Sequence, residues 1–309
     1  QRIVEPAFPL SFDPHYPEIA LRGLAEMLPD LQAYFGRAPR PYVDGGYYTK
    51  TKENRPLVGP LPVEGAYLIA HIPSFPLYGF RSSPNYEKPD LVMKIIVGQS
   101  INKRSTPIFH AEMHYIVFRP YWNIPYSITV KEMLPEIAAN PAYVGRNDLE
   151  IVDRFSDSAK IFPATPENLY LLHSGALKLR QRPGPRNALG LAKFIFPNHN
   201  SVYLHSTPAQ QLFSRSRRDF SHGCIRVEDP VALAEFVLGK EKGWDRERIL
   251  TAMNGRRTKR VPLKSPVEVY IFYSTVLVDE NDNVLFYEDI YGHDETLQQL
   301  LDTGYPFPA

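Results

Sequence analysis

Cys224 and His205 have the side chains and the surroundings for nucleophilic catalysis. Cys224 is the single cysteine of the 309 residues, so it has no partner for an internal disulfide. It stands in the run Ser221-His222-Gly223-Cys224-Ile225-Arg226, among small and polar residues rather than in an apolar stretch. A thiol needs a base to take its proton, and histidine does so near neutral pH. His205 lies at the end of a strand-like run that starts at Tyr203. The apolar spacing from Val227 to Leu238 is helical, which predicts a loop-to-helix junction at Cys224. There, backbone N–H groups and the positive end of the helix dipole favour thiolate over thiol. A lone cysteine is usually a small buried hydrophobe. Its Ser, His, Gly and Arg neighbours argue for the nucleophile instead.

His205, fifteen intervening residues and then Ser221-His222-Gly223-Cys224 resemble the signature of the L,D-transpeptidases, the YkuD-type enzymes that cross-link peptidoglycan. In that pattern a hydrophobic residue follows the cysteine, here Ile225, and then most often Asn, where this chain has Arg226. A second match is Pro183-Gly184-Pro185-Arg186-Asn187-Ala188-Leu189-Gly190, ahead of a strand pair. The resemblance runs from about residue 65 to residue 291. It implies an α+β, mainly β-sheet (β-sandwich-like) catalytic domain, with an inserted lid and an N-terminal helical segment.

The resemblance also implies roles. Cys224 attacks a peptide carbonyl and His205 holds the proton, oriented by the main-chain carbonyl of Ser206. The N–H groups of Gly223 and Cys224 stabilise the oxyanion. His222 lines the substrate groove, and Ser221 and Asn187 join the substrate-binding set. Arg226 either contacts a carboxylate or forms an ion pair that pins the loop, and the second is favoured. The donor is a stem peptide cleaved after an L-centre, normally meso-diaminopimelate with D-alanine leaving, or else L-alanine. An amine of an acceptor stem resolves the thioester. Carbapenem-type β-lactams are the expected inhibitors. Neither a metal nor an organic cofactor is expected, the site of action is the periplasm or cell envelope after removal of a signal peptide, and the chain is expected to act as a monomer. A carboxypeptidase that passes the same acyl-enzyme to water, and a peptidoglycan-binding module without catalysis, are the competing readings.

The elements that position these residues can be read from composition and pattern. Hydrophobic residues make up 43% and charged residues 22%, as in an ordinary globular protein. A formal net charge of +1 gives no case for nucleic acid or an anionic membrane, and no apolar run is long enough to span a bilayer. Thirty prolines, 17 Phe and 19 Tyr suit a loop-rich β fold. Residues 1–63 read as a packing segment, with an amphipathic helix over Tyr16–Phe35 interrupted at Pro29 and a Gly/Pro-rich wrap to Pro62. A docking arm is the alternative for that segment.

The catalytic domain is expected over residues 64–292. Its opening strands are Tyr67–Ile72 and Leu77–Arg81 as a hairpin, then Asp90–Gly98 and His114–Phe118. His71, His110 and His114 do not complete a metal pattern and read as structural or surface histidines. Residues 123–182 form the insertion: a helix over Ser127–Ala138, then a polar, irregular stretch from Asn140 to Pro166. It begins at Tyr121-Trp122, an aromatic pair suited to stack on peptide or glycan. A lid over the groove is favoured over a plain cover for the sheet. The hairpin Ala192–Phe196/Ser201–His205 carries the histidine. Arg215, Arg217 and Arg218 read as a solvated helix face or as an attractor of stem-peptide carboxylates. Beyond the cysteine come helices over Pro230–Leu238 and Trp244–Met253. A hairpin Val267–Asp279/Val284–Tyr291 turns at Glu280–Asn283, and a C-terminal tail fills 293–309.

Overall fold

The computed structural model describes residues 66–81, 89–101, 104–239, 243–278 and 284–302. The expected N-terminal helix and wrap, the turn at Glu280–Asn283 and the tail beyond Asp302 lie outside them. The described chain is mainly β with a few helices and forms two compact units.

One unit holds residues up to Asp90, Pro107–Ala111 and Glu268 onward. Strands β1 (Ala66–Ile72) and β2 (Pro76–Arg81) form the expected antiparallel hairpin. The C-terminal half of a long strand that begins at Lys259 and ends at Tyr273 pairs parallel with β1, from Tyr67↔Glu268 to Ile72↔Tyr273. Tyr67, Ile69 and Phe80 pack with Tyr78, Tyr270 and Phe272 on this sheet. His71 is buried and shares a 2.6 Å hydrogen bond with Ser74. Burial holds it down at about 4. His110 pairs with Glu268 and stacks on Tyr270.

The other unit holds Leu91–Thr106 and Glu112–Val267, and every residue of the catalytic proposal lies in it. Its sheet contains β3 (Leu91–Gly98) and the Tyr115–Phe118 part of β4 (Phe109–Phe118). After an insertion, four strands complete it: β9 (Ala192–Ile195), β10 (Leu204–His205), β11 (Asp219–Ser221) and β12 (Ile225–Val227). The strand order is β11-β3-β12-β10-β9-β4. Strands β10 and β12 pair parallel, while β9 pairs antiparallel with both β10 and β4. Leu204, Ile225, Phe194 and Ile116 are wholly buried, which fixes the register because a one-residue slip would bring the opposite faces inward.

The insertion differs from the expected helical and irregular segment. It contains an antiparallel sheet of its own in the order β5-β8-β6-β7, namely β5 (Trp122–Asn123), β6 (Leu149–Val152), β7 (Ile161–Phe162) and β8 (Lys178–Gln181). Helices α1 (Tyr126–Ile128), α2 (Leu134–Ala139), α3 (Ala142–Arg146) and α4 (Pro166–His173) cover it, with Thr129–Met133 as a π-helical turn between α1 and α2. Ile124, Ile137, Leu149, Ile151, Leu172, Leu177 and Leu179 form its core. The strands escape sequence inspection because they are two to four residues long, too short for alternation to show. An ion pair between Arg180 and Glu150 at 2.8 Å, buried with β8, adds polar residues where a strand is hard to recognise.

Helix α5 (Pro230–Leu238) follows β12 and buries Leu233, Ala234, Phe236, Val237 and Leu238. Its first turn carries Pro230, and the Asp229 side chain caps the N–H groups of Val231 and Ala232. Helix α6 (Arg246–Asn254) starts at a second Asp cap, Asp245, and packs on α5. The long strand β13 (Lys259–Tyr273) begins eight residues before the expected start at Val267. Of the expected hairpin Val267–Asp279/Val284–Tyr291 only β14 (Val276–Val278) and β15 (Val284–Phe286) pair among the described residues, because β13 ends at Tyr273 on β1, and α7 (His293–Asp302) ends the described chain.

Candidate active site

Cys224 lies in the tight connection between β11 and β12, not at a helix start. The α5 N-terminus comes six residues later and its N–H groups are capped by Asp229. The helix dipole expected to favour the thiolate is therefore not at the thiol. What shapes the loop is a set of short bonds. Ser221 Oγ donates to the Cys224 carbonyl at 2.6 Å and accepts from the Gly223 N–H at 3.1 Å. Thr106 Oγ1 donates to the Gly223 carbonyl at 2.8 Å and accepts from the Gly98 N–H at 2.8 Å. Gly223 has φ +111°, a left-handed conformation that only glycine adopts without strain.

This loop geometry changes two expected roles. Ser221 is buried and holds the loop, so it does not face substrate. The Gly223 N–H is already bonded, so it is not a ready oxyanion donor. The Cys224 N–H has no acceptor among the described residues and is the donor left for that task.

His205 is buried at the tip of β10. Its Nδ1 donates to the Ser206 carbonyl at 2.5 Å. A carbonyl can only accept, so Nδ1 carries the proton and Nε2 is the free base. Ser206 is held in turn by its N–H, which donates to the Ala192 carbonyl at 2.9 Å. Gly190 (φ +60°) sits against it, and a Cβ there would lie 2.4 Å from Ser206 Oγ.

The sheet surrounds this histidine with cations. Lys193 on β9 pairs with His205, and His205 pairs with Arg226 on β12. Val117 on β4 pairs with Lys193, so Val117, Lys193, His205 and Arg226 make one row across four strands on one face. Burial, then the Arg226 charge, then Lys193 push His205 down to about 3, against the pull of the Ser206 carbonyl. The imidazole is therefore neutral across the physiological range.

Tyr203, two residues before His205 on the same face, is a neighbour that the sequence did not flag. Its ring carries the Lys193 ammonium at 3.7 Å, and it lies close enough to Cys224 to act on the thiol's charge. Burial pushes the Cys224 thiol up, and Tyr203, Lys193 and Arg226 pull it back only in part. The sulfur donates to the Ser201 carbonyl at 3.8 Å. At rest the pair is thus neutral thiol and neutral imidazole, with two cations in place to stabilise sulfur as it becomes negative.

The remaining predicted residues divide. Arg226 has no carboxylate partner among the described residues, and its Nε is buried without a hydrogen bond, so the loop-pinning ion pair does not form. His222 is exposed and shares a 3.0 Å hydrogen bond with Glu132, on the π-helical turn of the insertion. Glu132 also accepts from Arg104 at 2.6 Å. Tyr121 is half-buried beneath the Arg180 guanidinium and lines two adjoining cavities. Trp122 packs on the insertion core instead of facing them. Asn187 is buried, with its amide donating to the carbonyls of Pro120, Gln181 and Arg182 and its Oδ1 accepting from the Leu189 N–H. Its amide hydrogens are committed and it is buried, so it does not face substrate. Arg217 pairs with Asp219 and Arg218 reaches the carbonyls of Ile95 and Arg215, so neither lies on a helix face. Among the described residues no group of three His, Cys, Asp or Glu is placed to hold a metal ion.

The model of the YkuD family, described as the L,D-transpeptidase catalytic domain, matches residues 80–269. A Haemophilus influenzae protein named "Putative L,D-transpeptidase" is 32% identical over 230 residues, covering 74% of this chain and 45% of its own length. The chain thus spans about half of that relative. On the family match over most of its sheet, with Cys224 and His205 inside it, the chain belongs to the YkuD family of L,D-transpeptidase catalytic domains.

Proposed function

We propose that the chain is a peptidoglycan L,D-transpeptidase working through a Cys224 thioester. His205 Nε2 takes the thiol proton as sulfur attacks the carbonyl of an L-centre in a donor stem peptide. The oxyanion forms at the Cys224 N–H. The imidazolium then gives its proton to the departing D-alanine amine as the C–N bond breaks, which leaves the thioester. An acceptor amine attacks it, His205 takes the amine proton, and the thiolate leaves and is reprotonated. The new bond is a cross-link made without penicillin-binding proteins. The meso-diaminopimelate carbonyl is the donor of this reading.

The observation that supports it is the fixed His205 tautomer. Nδ1 is tied to the Ser206 carbonyl, so the free base is the other nitrogen, in a row of cations beside the single cysteine. Residues 123–182 serve as a lid in this reading, excluding water from the thioester while the Glu132–His222 contact ties them to the nucleophile loop. The reaction places the protein in the cell envelope. No helix among the described residues is long and apolar enough to cross a membrane. Carbapenems, which acylate thiols, are the expected inhibitors.

Mass spectrometry of products from purified tetrapeptide stems tests the reading. Cross-linked dimer with wild type and none with Cys224→Ala is the expected result. Tripeptide alone, with no dimer at any amine concentration, would assign a carboxypeptidase. Dimer from Cys224→Ala would remove the nucleophile from the mechanism.

A further inference from the structure

The catalytic face continues away from Cys224 into a pair of cavities that the proposed chemistry does not use. The smaller, of about 220 Å³, is lined by Val117 and Lys193 of the cross-strand row, with Tyr121, Phe155 and Arg180 from the insertion side. It shares Tyr121, Asp157 and Thr258 with a larger cavity of about 750 Å³. Five arginines line the larger one: Arg119, Arg182, Arg186, Arg256 and Arg257. They face two carboxylates. Asp148 already holds Arg182 at 3.0 Å and Arg186 at 2.7 Å. Asp157 is exposed and pairs with none of them.

Three arginines are therefore left with no carboxylate. Arg256 and Arg257 make no ion pair or side-chain hydrogen bond among the described residues, and Arg119 Nε is buried with no hydrogen-bond partner. Arg119 is also strained, with φ +52°. Its N–H donates to the Leu191 carbonyl at 2.7 Å and its carbonyl accepts from Thr258 Oγ1 at 2.8 Å, so both sides of the residue hold the left-handed backbone in place. A non-glycine residue kept in that region, which lines a cavity and has a buried guanidinium nitrogen without a partner, is the pattern of a binding group.

We propose that this cavity is a carboxylate-binding subsite that anchors a short acidic peptide whose reacting group lies at Cys224. Two strand spacings separate His205 from Val117, roughly 10 Å. Arg119 lies two residues further along, roughly 12 Å from His205 in all, a gap that an arginine side chain and a carboxylate one residue from the reacting carbonyl close together. The connecting groove offers Tyr121 and Phe155 to side chains and Asn123 to a peptide backbone. That lining favours a peptide over a compact phosphate. The identity of the peptide as a stem with two or more carboxylates rests on the transpeptidase reading, whereas the anion site does not.

Calorimetric titration of the full Cys224→Ala chain with the tetrapeptide L-Ala-γ-D-Glu-meso-diaminopimelate-D-Ala tests it. Arg119→Gly removes the guanidinium and relieves the backbone strain, so its melting temperature should hold or rise while peptide affinity falls about tenfold or more. Arg256→Ala/Arg257→Ala on the surface should give a loss of the same order, and a peptide with amidated carboxylates should bind like the variants do to the acid. Unchanged affinity in both variants, equal binding of the amidated peptide, no measurable binding at all, or tighter binding of pyrophosphate than of the peptide would overturn the proposal. The two readings fail separately. Arginine-dependent binding with no wild-type cross-linking leaves this site and removes the transpeptidase, while cross-linking with arginine-independent binding does the reverse.

Discussion

Glu132 accepts a hydrogen bond from His222 at 3.0 Å, joining the π-helical turn of the insertion to the residue two places before Cys224. Burial alone would raise the Glu132 carboxyl, yet the bonds and charges of His222 and Arg104 hold it below the usual value. The carboxylate is ionised and so ties two pieces of chain that are ninety residues apart. π-Helical turns inside helices often mark functional sites.

Glu132→Ala should therefore loosen the insertion with little cost to the fold. The contacts of Glu132 with His222 and Arg104 are half-exposed, so the stability change should stay within about 1 kcal/mol. Hydrogen exchange over 123–182 should rise, and hydrolysis should gain on transfer. Unchanged exchange in that segment would show that Glu132 does not hold it.

Lys193 and Arg226 flank His205 and act on both members of the pair. Replacing either with Met removes a charge that helps the thiolate, so the Cys224 pKa, already raised by burial, should rise further. The pH midpoint of iodoacetamide alkylation measures this. Wild type should titrate above an ordinary thiol and each variant higher still, with slower acylation. A downward shift would mean that the cations do not face the sulfur.

His205 and His71 should make the fold acid-sensitive. In the unfolded chain both take a proton near pH 6.5, whereas in the folded chain His71 waits until about 4 and His205 until about 3. Between those values the unfolded state binds more protons. Stability then falls as pH falls, by about 1.4 kcal/mol per pH unit for each histidine. Urea midpoints from pH 7 to 4 should show this, and His205→Gln should remove about half of the histidine contribution. A variant slope equal to wild type would place His205 in water.

Gly190→Ala should damage the site without touching a catalytic side chain. The new methyl would stand 2.4 Å from Ser206 Oγ on a backbone with φ +60°. Strain of that kind costs roughly 1–3 kcal/mol. Displacing Ser206 also frees the His205 ring, so acylation should fall by more than the loss of stability explains. Wild-type rates in a destabilised variant would show that the Ser206 carbonyl does not need to be fixed.

Much of the site is local in the chain and was legible there. The Ser221 hydroxyl bonds Gly223 and Cys224 of its own loop, and Ser206 orients His205 from the next position. Such neighbours lie side by side in any fold. The apolar runs 192–196 and 230–238 likewise announce a strand and a helix by their own periodicity. What the sequence did not decide is which residues the sheet sets beside them. Lys193, His205 and Arg226 come together through strand pairing between distant segments, and one residue of slip would have turned them away. Tyr203 came beside Cys224 by the same pairing, while Asn187 was turned inward by carbonyls of Pro120, Gln181 and Arg182. The sign of the electrostatics was also tertiary. The sequence placed Cys224 at a helix start and favoured thiolate. The fold put it between two strands and half-buried it, and desolvation, which depends on everything packed around a group, made neutral thiol the resting form.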